Sequence, residues 1–253
     1  MRGHTLQTTQ LRASKIGLNF PKLSHHLLMI HGKTFPKSNH KSETALFKVA
    51  HYRTDDWMAE FVDMCKNAND SKMRELWGRV LAGEIQNPGS FSIRSLFTLK
   101  TLLASEAEQF RIVGNLVFQG EFVYRGPDNE AASPFGVTYS SFLTLASCGL
   151  VAPDTNAGWK IGKPSDENVL ITYEPYLLLF KRFGSPHPME LSAWPLTAVG
   201  KELARLIEIR HNWDYVKRLA ADQKVLGWRL DLVLTPRGFP PPSDLPTQTR
   251  ETN

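Results

Sequence analysis

The chain has 253 residues, of which 42% are hydrophobic and 22% are charged, and its formal net charge is +5. This composition excludes a collagen, a disulfide scaffold and a wholly disordered chain. No apolar run approaches the roughly 18 residues that a membrane-spanning helix needs, so the sequence predicts no transmembrane segment.

The positive charge is concentrated at the N-terminus. Residues 1–42 contain seven Lys or Arg and no Asp or Glu, whereas residues 43–253 contain 23 basic and 25 acidic side chains. We therefore predict that residues 1–45 form a disordered basic arm that contacts phosphates or anionic lipid. The same composition fits an organellar targeting segment, or extra residues that result from a start codon assigned too far upstream.

Neither the cysteines nor the histidines indicate a specific site. Cys65 and Cys148 lack a Cys-x-x-Cys spacing, so we expect two free thiols in a reducing, cytoplasmic environment. His25, His26 and His31 lie in the basic arm, but no cysteine or carboxylate accompanies them as a metal ligand. The sequence predicts no metal site and no cofactor.

The middle of the chain has the 3.6-residue apolar period of α-helices. We expect Trp77 to be buried, because it lies in the middle of such an apolar stripe. In the third predicted helix, Ser92–Leu103, we expect the same kind of stripe to face inward, namely Ile93, Leu96, Phe97 and Leu103. Short connections predict an antiparallel helical subdomain over residues 46–120. Its four predicted helices are Asp55–Asn67, Lys72–Ile85, Ser92–Leu103 and Glu106–Phe118, the last preceded by a capping box at Ser105–Glu108.

After Gly120 short strands alternate with helices, which predicts an α+β subdomain over residues 121–235. Residues 236–253 contain five prolines and are predicted to be a disordered tail. The fold class is therefore α+β and mostly helical. The predicted strands are Phe122–Tyr124, Trp159–Ile161, Val169–Phe180, Leu191–Leu196 and Trp228–Leu234, with the second and third paired around a polar turn. The predicted helices are Tyr139–Ser147 with Gly149 as its end, Ala198–Arg210 capped by Thr197, and Trp213–Val225 capped by Asn212.

The order of helix, hairpin and helix over residues 138–210 is compatible with a winged-helix-like subdomain. The helix that would read DNA, Tyr139–Ser147, contains no Lys or Arg. Because phosphate contacts dominate nucleic-acid affinity and need cations, this helix is a poor DNA reader. Such a subdomain would then serve as a protein-interaction platform.

Three segments in a fixed order carry a resemblance to a known family. They are Leu76–Glu84 (LWGRVLAGE), Pro88–Arg94 (PGSFSIR) and Pro195–Leu203 (PLTAVGKEL). Over residues 46–235 the chain resembles a bacterial family catalogued as domain of unknown function 2806. Ser95 stands where the family often has Thr. The resemblance implies an intracellular bacterial protein and assigns no catalytic role to any residue.

The first two segments contain the candidate site residues. Glu84 lies near a helix C-terminus, where the helix dipole disfavours an anion. The Pro88-Gly89 turn could bring Arg94 to it, so we favour a structural Glu84–Arg94 pair. The alternative is an anion or ligand site formed by Arg79 and Arg94.

The glycines of the same helix predict packing. Gly78 and Gly83 each cost about 1 kcal/mol relative to Ala inside a helix, so they indicate that another element approaches closely.

No catalytic residue is predicted, because the sequence lacks a Gly-x-Ser-x-Gly elbow, a phosphate-binding loop and a His-Glu-x-x-His motif. Asp128 and Asp154 each follow a proline as in some nucleases. The acid-x-Lys triplets Asp70–Lys72 and Asp222–Lys224, however, fall at a predicted helix cap and on a predicted helix rather than on a strand. We predict a non-enzymatic interaction or regulatory protein with an unidentified protein partner. The alternatives are a nucleic-acid-associated protein that acts through the basic arm or the winged-helix-like region, and an enzyme with an unrecognised site.

Overall fold

The computed structural model describes residues 56–66, 68, 71–153, 158–161, 163–240, 242 and 244–250. The predicted basic arm and its histidines lie outside these residues. Contacts divide the chain into two units, Met1–Lys100 and Thr101–Asn253. The described residues contain both helices and sheets, so the α+β class is confirmed, whereas a mostly helical fold is not.

The first unit is organised around three aromatic side chains on two helices. Trp57 and Phe61 stack with their ring centroids 5.2 Å apart, and Trp77 meets Phe61 edge-on at 5.6 Å. Trp77 is 1% exposed, which confirms its prediction as a core residue. The indole N–H of Trp57 donates a hydrogen bond of 2.7 Å to the Phe91 carbonyl, so burial leaves no donor unpaired there. The helices are α1 (residues 56–65), α2 (Ser71–Gln86) and α3 (Ile93–Thr101).

The corner between α2 and α3 explains one of the two helical glycines. A Cβ atom on Gly83 would lie 2.8 Å from a ring carbon of Phe91, so the expected close approach is confirmed there. Gly78 has nothing within 4 Å of its Cβ position, and the expectation is wrong at that residue.

The inward face of α3 differs from the predicted one. Leu96 and Leu99 are buried, whereas Ile93, Phe97 and Leu103 are 38%, 51% and 63% exposed. The helix ends at Thr101, so Leu103 no longer follows its period. The helical phase that buries Leu96 and Leu99 turns the other apolar residues outward.

The second unit begins with a helix that is shorter than predicted. Helix α4 (Ala104–Gly114) starts one residue before Ser105, and the Glu106 carboxylate accepts the backbone N–H of Leu103 at 2.8 Å. The predicted capping box at Ser105 is therefore wrong: the N-cap is Leu103, whose side chain cannot accept a hydrogen bond, and only the contact from Glu106 is present. The predicted end of the helix instead forms β1 (Val117–Phe118), because Gln119 and Gly120 have φ values of 55° and 65° and turn the chain into an antiparallel hairpin.

The strands of the second unit form two four-stranded sheets. The first has the order β1-β2-β6-β3 and the second has the order β4-β5-β7-β8. All pairs are antiparallel except β7 with β8. The remaining strands are β2 (Phe122–Tyr124), β3 (Gly158–Ile161), β4 (Asn168–Tyr173), β5 (Tyr176–Arg182), β6 (Met189–Pro195), β7 (Trp228–Pro236) and β8 (Thr247–Arg250).

The predicted pairing of Trp159–Ile161 with Val169–Phe180 is wrong. Residues 169–180 form β4 and β5, which pair with each other from Tyr173 and Tyr176 outward, and β3 pairs with β6 in the other sheet. Pro175 lies at the turn between β4 and β5 and has no N–H for a ladder, which is why the segment predicted as one strand contains two.

The three later helices of the second unit begin where the sequence predicts them. Thr197 caps α6 (Ala198–Ala204) and Asn212 caps α7 (Trp213–Val225), each accepting a backbone N–H on its side-chain oxygen. Helix α6 stops six residues before the predicted end at Arg210, and two turn hydrogen bonds at Leu206 and Ile207 follow it. Helix α5 (Tyr139–Ser147) has the predicted bounds, with Gly149 at φ +73° just beyond its end.

The proline-rich segment after residue 236, predicted to be a disordered tail, contains β8. The carbonyl of Pro246 accepts the N–H of Val233 at 2.7 Å, and β8 then runs parallel to β7. The prolines precede β8 rather than interrupting it, so its own N–H groups remain able to pair. No helix in the described part of the chain is long and apolar enough to cross a bilayer.

Candidate functional site

The predicted site residue Glu84 is satisfied by backbone rather than by an arginine. Its carboxylate accepts the N–H of Gly89 at 2.6 Å and the N–H of Phe91 at 3.0 Å. The turn after α2 folds these amides back over the last helical turn, where Gly89 adopts φ +87°. The helix dipole disfavours the negative charge of Glu84 at a C-terminus. Two neutral backbone N–H groups, rather than an arginine, stabilise this charge.

The structure does not join the three predicted site residues. Arg79 and Arg94 are exposed, and among the described residues no hydrogen bond or ion pair links either of them to Glu84. The partners of the Glu84 carboxylate in the described residues are therefore two backbone N–H groups and not the predicted Arg94 side chain. An anion site at Arg79 and Arg94 remains a prediction.

A larger polar cluster lies in the second unit and joins β2, the loop after it and α7. The hydroxyl of Tyr124 donates to Asp222 at 2.9 Å. The Arg218 Nε contacts both oxygens of Asp222 at 3.2 and 3.0 Å, and its Nη2 donates to Asp128 at 3.2 Å. The hydroxyl of Tyr215 donates to the carbonyl of Tyr124 at 2.6 Å. This arrangement fastens α7 to the sheet at several points.

The tyrosines of this cluster remain proton donors. Burial, followed by the negative charge of Asp222, raises the pKa of Tyr124 far above its ordinary value. Burial also raises the pKa of Tyr215 well above that value. The backbone N–H of Glu130, and less strongly Arg218, lower the pKa of Asp128, which therefore stays ionised. A buried neutral phenol beside a carboxylate is a hydrogen-bond donor and a very weak acid.

The cluster is better suited to holding the fold than to chemistry. Arg218 occupies the space between Asp128 and Asp222, where two carboxylates would otherwise be able to share a cation. The described residues contain no group of three or more His, Cys, Asp or Glu side chains that could hold a metal ion. The two cysteines are free, and burial raises the pKa of each thiol, which makes neither a ready nucleophile.

Aromatic side chains form a second dense cluster near the turn between β4 and β5. The rings of Tyr173 and Tyr176 meet His211 and Trp213 edge-on at centroid distances between 4.7 and 5.8 Å. The Tyr173 hydroxyl also accepts the N–H of Asn212 at 3.0 Å. Tyr173 and Tyr176 are buried and His211 and Trp213 are half-buried, so the cluster packs at the margin of the core.

The outer side of the second sheet presents leucines, which we call the leucine face. Leu179 of β5 lies between Leu170 of β4 and Leu232 of β7. Leu177 of β5 likewise lies opposite Leu234 of β7. Leu170 is 51% exposed and the other four are half-buried. The alternate residues of the same strands point to the core and are fully buried, namely Ile171, Leu178 and Val233.

Sequence reasoning missed both the polar cluster and the leucine face. Tyr124 and Asp222 are 98 residues apart and Asp128 and Arg218 are 90 apart, so no local pattern connects them. The leucine face did have a signal, since strands with apolar residues at successive positions have two apolar faces.

Comparison with known proteins finds one family. A family model described as "Protein of unknown function (DUF2806)" matches residues 40–220. No curated protein matches the chain, and no solved structure matches it.

Proposed function

The chain belongs to DUF2806, a family of proteins of unknown function, and on that premise we propose that it is a non-enzymatic interaction protein that binds a partner protein on the leucine face. The observation that carries the proposal is the apolar outer side of the second sheet, with Leu170 51% exposed on it. Contiguous apolar surface on a folded chain marks an interaction site more often than it occurs without a role.

The shape of the leucine face favours a protein partner. Side chains from three neighbouring strands form a pleated surface, against which a second sheet or a helix packs at about 10 Å. At one end Asp231 pairs with Lys181 at 2.7 Å and with Arg229 at 3.1 Å, so the rim carries both signs of charge. An apolar centre with a mixed polar rim is typical of protein interfaces.

The polar cluster also supports a role without catalysis. Arg218 and the hydroxyls of Tyr124 and Tyr215 are engaged in holding α7 to the sheet. A catalytic acid, base or nucleophile needs a group that is poised to change its protonation or to attack a substrate. In this cluster both carboxylates, Asp128 and Asp222, form ion pairs with Arg218.

The proposal is tested by crosslinking from the face. p-Benzoylphenylalanine is introduced in place of Leu170 in one variant and in place of Leu143 in another, because Leu143 is 50% exposed on α5 and lies off the leucine face. We expect a discrete covalent adduct with a protein from Leu170 only, and loss of that adduct when Leu179→Lys is added. An adduct that survives Leu179→Lys, or that forms equally from both positions, contradicts the proposal.

A second candidate rests on the charge of residues 1–42, which have seven basic and no acidic side chains. In this hypothesis the basic arm binds nucleic acid through phosphate contacts. A winged-helix-like reader over residues 138–210 is the weaker form of the hypothesis, because α5 carries Tyr139, Ser140 and Leu143 on its exposed side and no cation. Loss of salt-dependent DNA binding on deletion of residues 1–42 supports the arm, and unchanged binding contradicts it.

A further inference from the structure

Three apolar side chains project at the end of the second sheet where β5 ends and β7 begins. Phe183 is 56% exposed, Val225 is 88% exposed and Leu226 is 55% exposed. We call Phe183, Val225 and Leu226 the apolar tip. Because Val225 is almost fully accessible, its side chain projects from the surface and does not line a groove.

The backbone holds the apolar tip in a fixed arrangement. The N–H of Phe183 donates to the carbonyl of Gly227 at 2.9 Å, and the N–H of Leu226 donates to the carbonyl of Gln223 at 3.0 Å. Gly227 has φ +82°, and a Cβ atom there would lie 2.4 Å from the backbone nitrogen of Ser185. Only glycine allows this approach of the two turns, so the apolar residues are presented together.

Basic side chains surround the apolar tip. Lys224 and Arg229 line a shallow groove of about 190 Å³ whose other lining is apolar, including Ala221 and Leu230. Arg182 lies with its guanidinium carbon 4.9 Å from the centre of the Trp228 ring.

Two acids lie in the same region and reduce this charge. Asp231 pairs with Lys181 and with Arg229. Glu167, just before β4, is exposed, and its carbonyl accepts the N–H of Arg182. Asp231 is therefore shared by two of the basic side chains, Lys181 and Arg229. No ion-pair partner of Lys224 is present in the described part of the chain.

We propose that the apolar tip inserts into the surface of an anionic phospholipid bilayer while Lys224 and Arg229 bind lipid phosphates. Projecting apolar side chains bury their area in the interface between headgroups and acyl chains. Long basic side chains beside them reach the phosphates, where the negative surface potential of the leaflet attracts them. This contact lies next to the leucine face, whose charged rim includes Arg229, and it adds a lipid surface to the proposed protein partner.

The test measures flotation of the full chain with vesicles of phosphatidylcholine and phosphatidylserine in a ratio of about two to one. Val225→Asp is compared with Leu143→Asp, which makes the same change of charge at an exposed leucine on α5, away from the apolar tip. We expect Val225→Asp to weaken binding about tenfold, since it removes apolar burial and places an anion at the leaflet. Leu143→Asp should bind as the unchanged protein does.

A second pair tests the basic side chains. Lys224→Glu should weaken binding by about fivefold or more, whereas Lys163→Glu, a matched charge reversal at an exposed lysine, should have a much smaller effect. A contribution from the basic residues 1–42 would be common to all variants and would weaken with added salt.

Three results overturn the proposal. The first is failure of the unchanged protein to float with anionic vesicles. The second is equal binding by Val225→Asp and Leu143→Asp, which assigns vesicle binding to another part of the chain. The third is a protein adduct from p-benzoylphenylalanine at Val225 together with no vesicle binding, which assigns the apolar tip to a protein partner.

Discussion

Gly200 in α6 lies directly against the carbonyl oxygen of Leu150. A Cβ atom at Gly200 would lie 1.9 Å from that oxygen, far inside any allowed contact. The same oxygen accepts the backbone N–H of Thr197 at 3.0 Å, so it is fixed by the residue that caps the helix. The first turn of α6 therefore depends on a glycine and on a cap three residues before it.

Gly200→Ala should destabilise the second unit strongly. The added methyl group has to displace backbone atoms, and overpacking of this kind costs about 1–3 kcal/mol. Gly184→Ala is the matched control in the same unit, because nothing lies within 4 Å of its Cβ position. Calorimetry should show a lowered Tm for Gly200→Ala and a Tm for Gly184→Ala close to that of the unchanged protein. Equal Tm values would mean that Leu150 and α6 can separate without cost.

Gly78→Ala should increase stability, in contrast to Gly200→Ala. Gly78 is in the interior of α2, and nothing lies within 4 Å of its Cβ position. Because glycine loses more backbone entropy than alanine in a helix, the substitution should stabilise the first unit by up to about 1 kcal/mol. Urea unfolding followed by circular dichroism measures the change. A loss of stability would show that another element packs on Gly78 after all.

Removal of the Glu84 carboxylate should cost more than removal of Arg94. Glu84→Ala deletes the acceptor of two backbone N–H groups, at Gly89 and Phe91, and we expect a loss of about 2 kcal/mol in unfolding free energy. Glu84→Gln keeps one acceptor oxygen and should lose less. Urea unfolding of each variant provides the measurement.

Arg94→Met is the control for this corner, since Arg94 is exposed. Its effect should stay within about 0.5 kcal/mol, as for surface substitutions without a specific partner. A double-mutant cycle with Glu84→Gln should give a coupling energy near zero. Coupling above about 1 kcal/mol would restore the salt bridge predicted from the sequence.

Helix caps and buried helix faces, which depend on residues close together in the sequence, were predictable. Thr197 accepts the N–H of Gly200 at 2.9 Å and Asn212 accepts the N–H of Tyr215 at 3.2 Å, each three residues along the chain. The apolar period of α2 likewise located Trp77 in the core. In these cases the residues that make the interaction also form the sequence pattern that predicts it.

Features set by distant residues were not predictable. The sequence shows that β3 is a strand, but it does not show that Trp159 pairs with Leu191 in β6. Glu84 accepts hydrogen bonds from backbone amides. Because almost every residue has such an amide, the sequence contains no signal for these contacts. Arg218 could be assigned to a helix, yet its contact with Asp128 depends on how α7 packs against a loop 90 residues earlier.

The indole of Trp77 should be among the most costly side chains to remove from the first unit. It is 1% exposed and packs edge-on against Phe61. Trp77→Ala should lower the unfolding free energy by about 3–5 kcal/mol through lost transfer energy and a cavity. Ile85→Ala on the same helix, at a residue that is 37% exposed, is the control and should cost less than about 1 kcal/mol. A loss below about 1 kcal/mol from Trp77→Ala, as small as that expected from Ile85→Ala, would place Trp77 at the surface.

Three buried tyrosines should make the fold sensitive to alkaline pH. Burial raises the pKa of Tyr173 to about 12 and also raises the pKa values of Tyr124 and Tyr215. Above the unfolded tyrosine pKa of about 10 the folded chain therefore holds more protons than the unfolded chain. Their contribution is complete below about pH 10 and is lost as the pH rises from there towards the folded values. Urea unfolding between about pH 8 and pH 11 should show stability falling only above about pH 10.

Asp222→Asn separates the part of this effect that belongs to Tyr124. The negative charge of Asp222 and its hydrogen bond both help to raise the pKa of Tyr124, so the neutral amide should let Tyr124 ionise at a lower pH. Asp214→Asn removes the same charge from an exposed side chain that pairs with Lys217 on α7, and it should leave the tyrosine signals unchanged. Carbon NMR of tyrosines labelled at Cζ, with Tyr124→Phe for assignment, follows each phenol as the pH rises. A Tyr124 signal that titrates at the same pH in the Asp222→Asn variant as in the unchanged protein would show that burial alone sets its pKa.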